Sequence, residues 1–231
     1  MIVLRYQFPE KEELIYQIGI DSTKTILNSP NLDNINKVEH DSLEIKIRQQ
    51  LQSIAPDGSY QIRMAVEPVR LLRDGQEEQG TGKLQTIDVK MSPFGDILWS
   101  SVPSPAAQPS YPSHPLEVGA EWEKDQSFLS PLNTDPLSLH LHYSLKDVED
   151  FQERDCVKIE IRADEQSFSL ANQVTQKMSL TGFNLFDHKK GCLVKSEIRL
   201  MIFLESPDER VSNEIITRVL LLKKDGKPVT A

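Results

Sequence analysis

Leu137-Ser138-Leu139-His140-Leu141-His142-Tyr143-Ser144-Leu145 alternates strictly, with five apolar side chains two residues apart and Ser, His, His and Ser between them. Successive side chains of a strand point to opposite faces, so this stretch reads as a half-buried β-strand with one wetted side. The same alternation recurs at Leu43, Ile45 and Ile47, at Ile62, Met64 and Val66, and at Val157, Ile159 and Ile161. Antiparallel sheets with one solvated face produce this pattern, whereas buried parallel sheets give continuous apolar runs. Between the runs fall Pro56-Asp57-Gly58-Ser59, Asp74-Gly75, Phe94-Gly95-Asp96, Lys190-Gly191 and Asp225-Gly226, which supply the positive φ and local hydrogen bonds that hairpin turns need. About a dozen strands are expected, over roughly 2–8, 13–21, 37–53, 60–72, 82–91, 96–101, 120–129, 137–146, 155–164, 173–186, 191–205 and 211–223. Capped helical spacing is absent, although the acidic stretch Leu145 to Arg154 has room for one helical turn.

One interruption organises this array. Val102 to Pro115 carries five of the fourteen prolines, and Val118-Gly119-Ala120-Glu121-Trp122 follows at once. The chain therefore divides into an N-terminal β half (1–101), a proline-rich crossing segment (102–117) and a C-terminal β half (118–231). Strand order repeats across the crossing at an offset of about 95 residues, with Gly95-Asp96-Ile97-Leu98 matching Gly191-Cys192-Leu193-Val194, a subdomain-sized internal duplication. The expected fold class is all-β, with two similar curved antiparallel sheets, half-barrel or sandwich-like, joined by the crossing. Gly119 and Trp122 are read as structural residues, the indole anchoring the second half against the first.

Composition narrows the function classes. Lys+Arg 26 against Asp+Glu 35 gives a formal net charge of −9, which repels a phosphate backbone, so no nucleic-acid partner is expected; Lys223, Lys224 and Lys227 are the only basic cluster. No run approaches the roughly 20 apolar residues of a membrane span, and Met1-Ile2-Val3-Leu4-Arg5 has no signal-peptide pattern. The chain as written reads as cytoplasmic, and as an envelope or exported protein if Met1 is not its native start. Cys156 and Cys192 allow one disulfide or two semi-buried thiols, and neither has a metal-ligand neighbour at zinc-site spacing.

Leu4-Arg5-Tyr6-Gln7-Phe8, a polar turn and Leu14-Ile15-Tyr16-Gln17-Ile18, together with Pro115 ahead of Val118-Gly119-x-x-Trp122, resemble a family of uncharacterised bacterial β-rich proteins. Their pattern is an L-R-Y-x-F hairpin start and a mid-chain P-x-x-V-G-x-x-W motif. The resemblance covers about 25 residues. It implies a β fold opening on a hairpin and no known activity; many such proteins look exported or lipid-anchored, from which this chain departs by lacking a leader and a lipidation cysteine.

Reactive constellations are sparse. His140 and His142 put two imidazoles on one strand face and are the candidate metal ligands, with His40 or a carboxylate to complete a site, although they are also simply the polar side of an amphipathic strand. Asp147, Glu149, Asp150, Glu153 and Asp155 crowd five carboxylates into nine residues without the order of a calcium loop. Gly80-Thr81-Gly82-Lys83 is a turn rather than a phosphate loop, and no G-x-S-x-G elbow occurs. No catalytic residue and no cofactor is assigned. The expected function is a non-enzymatic binding or interaction module for a small apolar, lipid-like ligand or a protein or peptide partner. The alternatives are a structural assembly subunit, or a hydrolase with a non-motif active site near His140 and His142.

Overall fold

The computed structural model describes residues 1–10, 12–28, 37–78, 83–102, 109–128, 137–170, 174–206 and 209–222, without the side chains of residues 27, 28, 128 and 209. The core of the proline-rich crossing (103–108), the Gly80-Thr81-Gly82 turn and the lysines at 223, 224 and 227 with the Asp225-Gly226 turn lie outside them. Twelve strands and no helix occur among the described residues: β1 (Leu14–Asn28), β2 (Lys37–Ile54), β3 (Tyr60–Arg73), β4 (Gln76–Glu77), β5 (Gln85–Met91), β6 (Ile97–Ser100), β7 (Glu121–Phe128), β8 (Leu137–Asp150), β9 (Asp155–Ser169), β10 (Thr175–Asp187), β11 (Cys192–Glu205) and β12 (Glu209–Leu221). No helix is long and apolar enough to cross a membrane.

The fold is all-β and antiparallel, as the alternation predicts. β8, which decides that reading, buries Leu137, Leu139, Leu141, Tyr143 and Leu145 and leaves the residues between them exposed or half-exposed. The two halves form one sheet of order β6-β5-β3-β2-β1-β12-β11-β10-β9-β8-β7, with β4 paired to the end of β3. They join edge to edge, because β1 and β12 run antiparallel in register from Tyr16 opposite Leu221 to Asn28 opposite Glu209.

The sheet curls strongly without closing. Eight strand steps separate β3 from β7 in this order, about 38 Å in a flat sheet at ~4.8 Å per step. Met64 of β3 and Gln126 of β7 nonetheless line one cavity of about 350 Å³. Lys124 of β7 and Asp96 in the β5–β6 turn complete an ion pair across the gap between the two sheet ends.

The first ten residues correct the sequence reading. Leu4, Tyr6 and Phe8 alternate and are buried, yet 2–8 is not a strand and forms no hairpin with 14–28; only Ile2 makes an isolated bridge, to Leu116. The segment is an extended plug laid against the curled sheet, tied to the β5–β6 and β10–β11 turns. Tyr6 N donates to Pro93 O at 2.8 Å and Gln7 N to Gly191 O at 2.8 Å, so one short stretch ties a turn of each half. Tyr60 Oη donates to Tyr6 O, and the Tyr6 ring meets Phe186 edge-on at 5.2 Å and lies against Tyr111 at 5.8 Å. Gly95 and Gly191, at φ of +97° and +63°, stand where the plug and Pro109 approach; a Cβ on Gly191 would lie 2.6 Å from Arg5 O. Both positions need glycine for conformation and for space.

A second correction concerns Leu145 to Arg154. Instead of a helical turn, β8 runs on to Asp150, and Phe151 and Arg154 exchange backbone hydrogen bonds around Gln152 and Glu153, both at positive φ (57° and 61°). This is a two-residue hairpin whose twist matches that of its strands.

Candidate functional site

The inner face of the curled sheet lines a half-open chamber of about 350 Å³. Its wall comes from both halves: Ile18 of β1, Ile47 of β2, Leu141 of β8, Leu180 of β10 and Val219 of β12 supply branched apolar surface, and Pro109 of the crossing segment closes one side. Inward parity on each strand follows from the alternation, because a residue in register with a buried neighbour shares its face.

Polar groups interrupt this lining at a few points. Asn184 and Ser196 stand opposite one another on β10 and β11 and are both buried. Asn184 is fully buried, and neither its Oδ1 nor its Nδ2 has a hydrogen-bond partner among the described residues. Gln49 on β2 donates Nε2 to Met64 Sδ at 3.6 Å and leaves Oε1 unpaired. Gln126, Thr217 and the phenols of Tyr16 and Tyr143 are the other polar groups of the lining, and none of the described lining residues is charged. Tyr143, also in the wall, has its phenol pushed up to about 12 by burial and stays neutral. The chamber therefore presents hydrogen-bonding groups without a counter-ion.

The outer face of β7 and β8 carries a different chemistry. His140 and His142 project there, and the register sets Asp125 opposite His140 and Glu123 opposite His142. The Glu123 carboxylate reaches both imidazoles, with Oε2 3.3 Å from His140 Nε2 and Oε1 3.0 Å from His142 Nδ1. Asp125 Oδ1 lies 2.7 Å from His140 Nδ1. The hydrogen bond to Asp125 first, and then that to Glu123, raise the His140 pKa. The two rings meet edge-on with centroids 5.0 Å apart. β9 leaves β8 beyond Arg162, and the Gln166 amide takes over the ladder there: Nε2 donates to His140 O at 3.0 Å, and Oε1 accepts from His140 N at 3.1 Å.

The other residues singled out from sequence lie elsewhere. His40 is on β2 against Thr23, away from the histidine pair. Trp122 stacks on Tyr143 at 5.3 Å within the second half, its Nε1 buried without a partner among the described residues, and Gly119 takes φ +90° while donating its N–H to Leu145 O. Of the acidic run, Asp155 pairs with Lys189. Cys156 and Cys192 are buried free thiols, each in register with Asp187 from opposite sides. Two strand spacings make about 10 Å, beyond the ~7 Å limit for bridging Cα atoms.

No family model matches this chain, and no curated protein matches it.

Proposed function

We propose that the protein is a non-enzymatic binding module that holds a small, uncharged, largely apolar ligand inside the curled sheet. The observation that carries this reading is Asn184, fully buried with both amide atoms unpartnered among the described residues. An unpaired buried amide costs roughly 1–3 kcal/mol. A ligand hydroxyl, ester or amide that displaces the side chains covering Asn184 from the chamber would satisfy it, and the apolar wall would bury the ligand's remainder. The volume of about 350 Å³ sits at the lower end of the range of about 300–1,000 Å³ for small-molecule sites. The lack of a charged lining residue favours a neutral head group, because an ionised one would be desolvated without a partner.

The test is fluorescence titration with the neutral probe N-phenyl-1-naphthylamine, followed by displacement with a medium-chain alcohol and with the carboxylate of equal length. Saturable one-to-one binding, displaced better by the alcohol and abolished by Leu180→Trp, which fills the chamber, is the expected result. Absence of saturable binding, or binding that survives the filled chamber, overturns the reading.

A further inference from the structure

We propose that Glu123, His140 and His142 form a site for a borderline divalent transition-metal ion of the zinc class on the outer face of β7 and β8, independent of the chamber within. One donor atom from each lies within 4.8 Å of the others, and the two oxygens of Glu123 each already meet one of the imidazoles. Tetrahedral ligands at ~2.0–2.1 Å from zinc stand about 3.3 Å apart. Glu123 Oε2 and His140 Nε2 are 3.3 Å apart, and Glu123 Oε1 and His142 Nδ1 are 3.0 Å apart.

Asp125 strengthens the assignment. Its carboxylate accepts from His140 Nδ1 at 2.7 Å, which keeps a proton on that nitrogen, so that a metal ion arriving at Nε2 displaces only the proton shared there with Glu123. A carboxylate behind a ligating imidazole fixes ring orientation and raises donor strength, the usual outer shell of a histidine-bound metal. The Gln166 amide holds the backbone of His140 from the other side. Two imidazoles and one carboxylate suit zinc, nickel or copper and not magnesium, which prefers oxygen ligands and retains its water. Three protein donors leave one tetrahedral position facing solvent, unlike a closed structural centre. Asp125 is a positioning residue here and does not itself contact the ion.

Tag-free protein is titrated with Zn2+ in competition with a chromophoric chelator, with imidazole nitrogen NMR as a second readout. The expected results are one Zn2+ per chain, His140 shifting at Nε2 and His142 at Nδ1, and no response to Mg2+. His140→Ala, His142→Ala and Glu123→Gln each weaken Zn2+ binding by more than about 100-fold, and Asp125→Asn weakens it by about 10- to 100-fold, with thermal unfolding of the metal-free variants unchanged. Stoichiometric binding that survives both histidine substitutions, or no binding tighter than millimolar, overturns the site.

Discussion

Lys124 on β7 and Asp96 in the β5–β6 turn form an ion pair across the gap left between the two ends of the sheet. Both side chains keep roughly two-fifths of their surface in water (38% and 43%), so solvent screens the pair and its loss costs less than about 1 kcal/mol. Lys124→Ala is expected to leave the unfolding midpoint nearly unchanged while hydrogen exchange of the β7 amides speeds up. Protection equal to wild type would mean that the pair does not hold the gap.

Asp187 is the most committed charge in the molecule. It is buried, its Oδ2 lies 3.3 Å from Arg154 Nη1, and its Oδ1 accepts from the backbone N–H of Lys189 and Lys190. Asp187→Ala leaves a partly buried guanidinium and two turn amides without this acceptor, and is expected to cost about 3 kcal/mol or more. Urea denaturation measures this; a loss below about 1 kcal/mol would show that water replaces the carboxylate.

Asn184→Leu separates binding from stability. Removing an unpartnered buried amide should stabilise the free protein by about 1–3 kcal/mol, while alcohol binding in the chamber weakens. A destabilised variant would mean that the amide has a partner in the folded chain.

The two thiols should be inert at neutral pH. Burial pushes Cys156 up to about 12 and Cys192 up to about 11, against about 8.5 in an unfolded chain. The native state therefore keeps protons that the unfolded state releases above about pH 8.5. Their contribution to stability is complete below that value and is lost as pH rises toward the native pKa. Reaction with a thiol reagent at pH 8 is expected only at the rate of unfolding, with no disulfide in oxidised samples; rapid labelling of folded protein would contradict this.

Fragments 1–101 and 102–231 should not fold separately. Separation strips β1 and β12 of thirteen register partners each and divides the plug contacts of Tyr6 with Tyr111 and Phe186. Poorly dispersed amide spectra for each fragment, and native-like dispersion on mixing, are the expected result. Well-dispersed spectra from either fragment alone would make the crossing segment a linker between independent units.

Much of the sheet was legible because its burial is one-sided. β8 shows its inner face as Leu-x-Leu-x-Leu, and the glycine-containing turns at Gly58, Gly75 and Gly191 bound strands where expected. The misreading of 2–8 is instructive, because alternation reports extended backbone buried on one side, and a plug laid against a curled sheet satisfies that without a ladder. Asn184 could not be picked out, since Leu185 and Phe186 beside it are also buried and the alternation fades. The outer-face cluster was half visible: the histidines lie on one strand face in sequence, but Glu123 and Asp125 become their partners only through the β7–β8 register.

The pairing of β1 with β12 sets the order in which the sheet can be completed. Ser22 Oγ donates to Asn213 Oδ1 across 191 residues of chain, and the strand carrying Asn213 is synthesised after β1 to β11. Until it arrives, the free edges of β1 and β11, 15 and 14 residues long, are open templates for other chains. Topology of this contact order folds slowly, so aggregation during synthesis is the hazard built into an open sheet in which β1 and β12 meet at the centre.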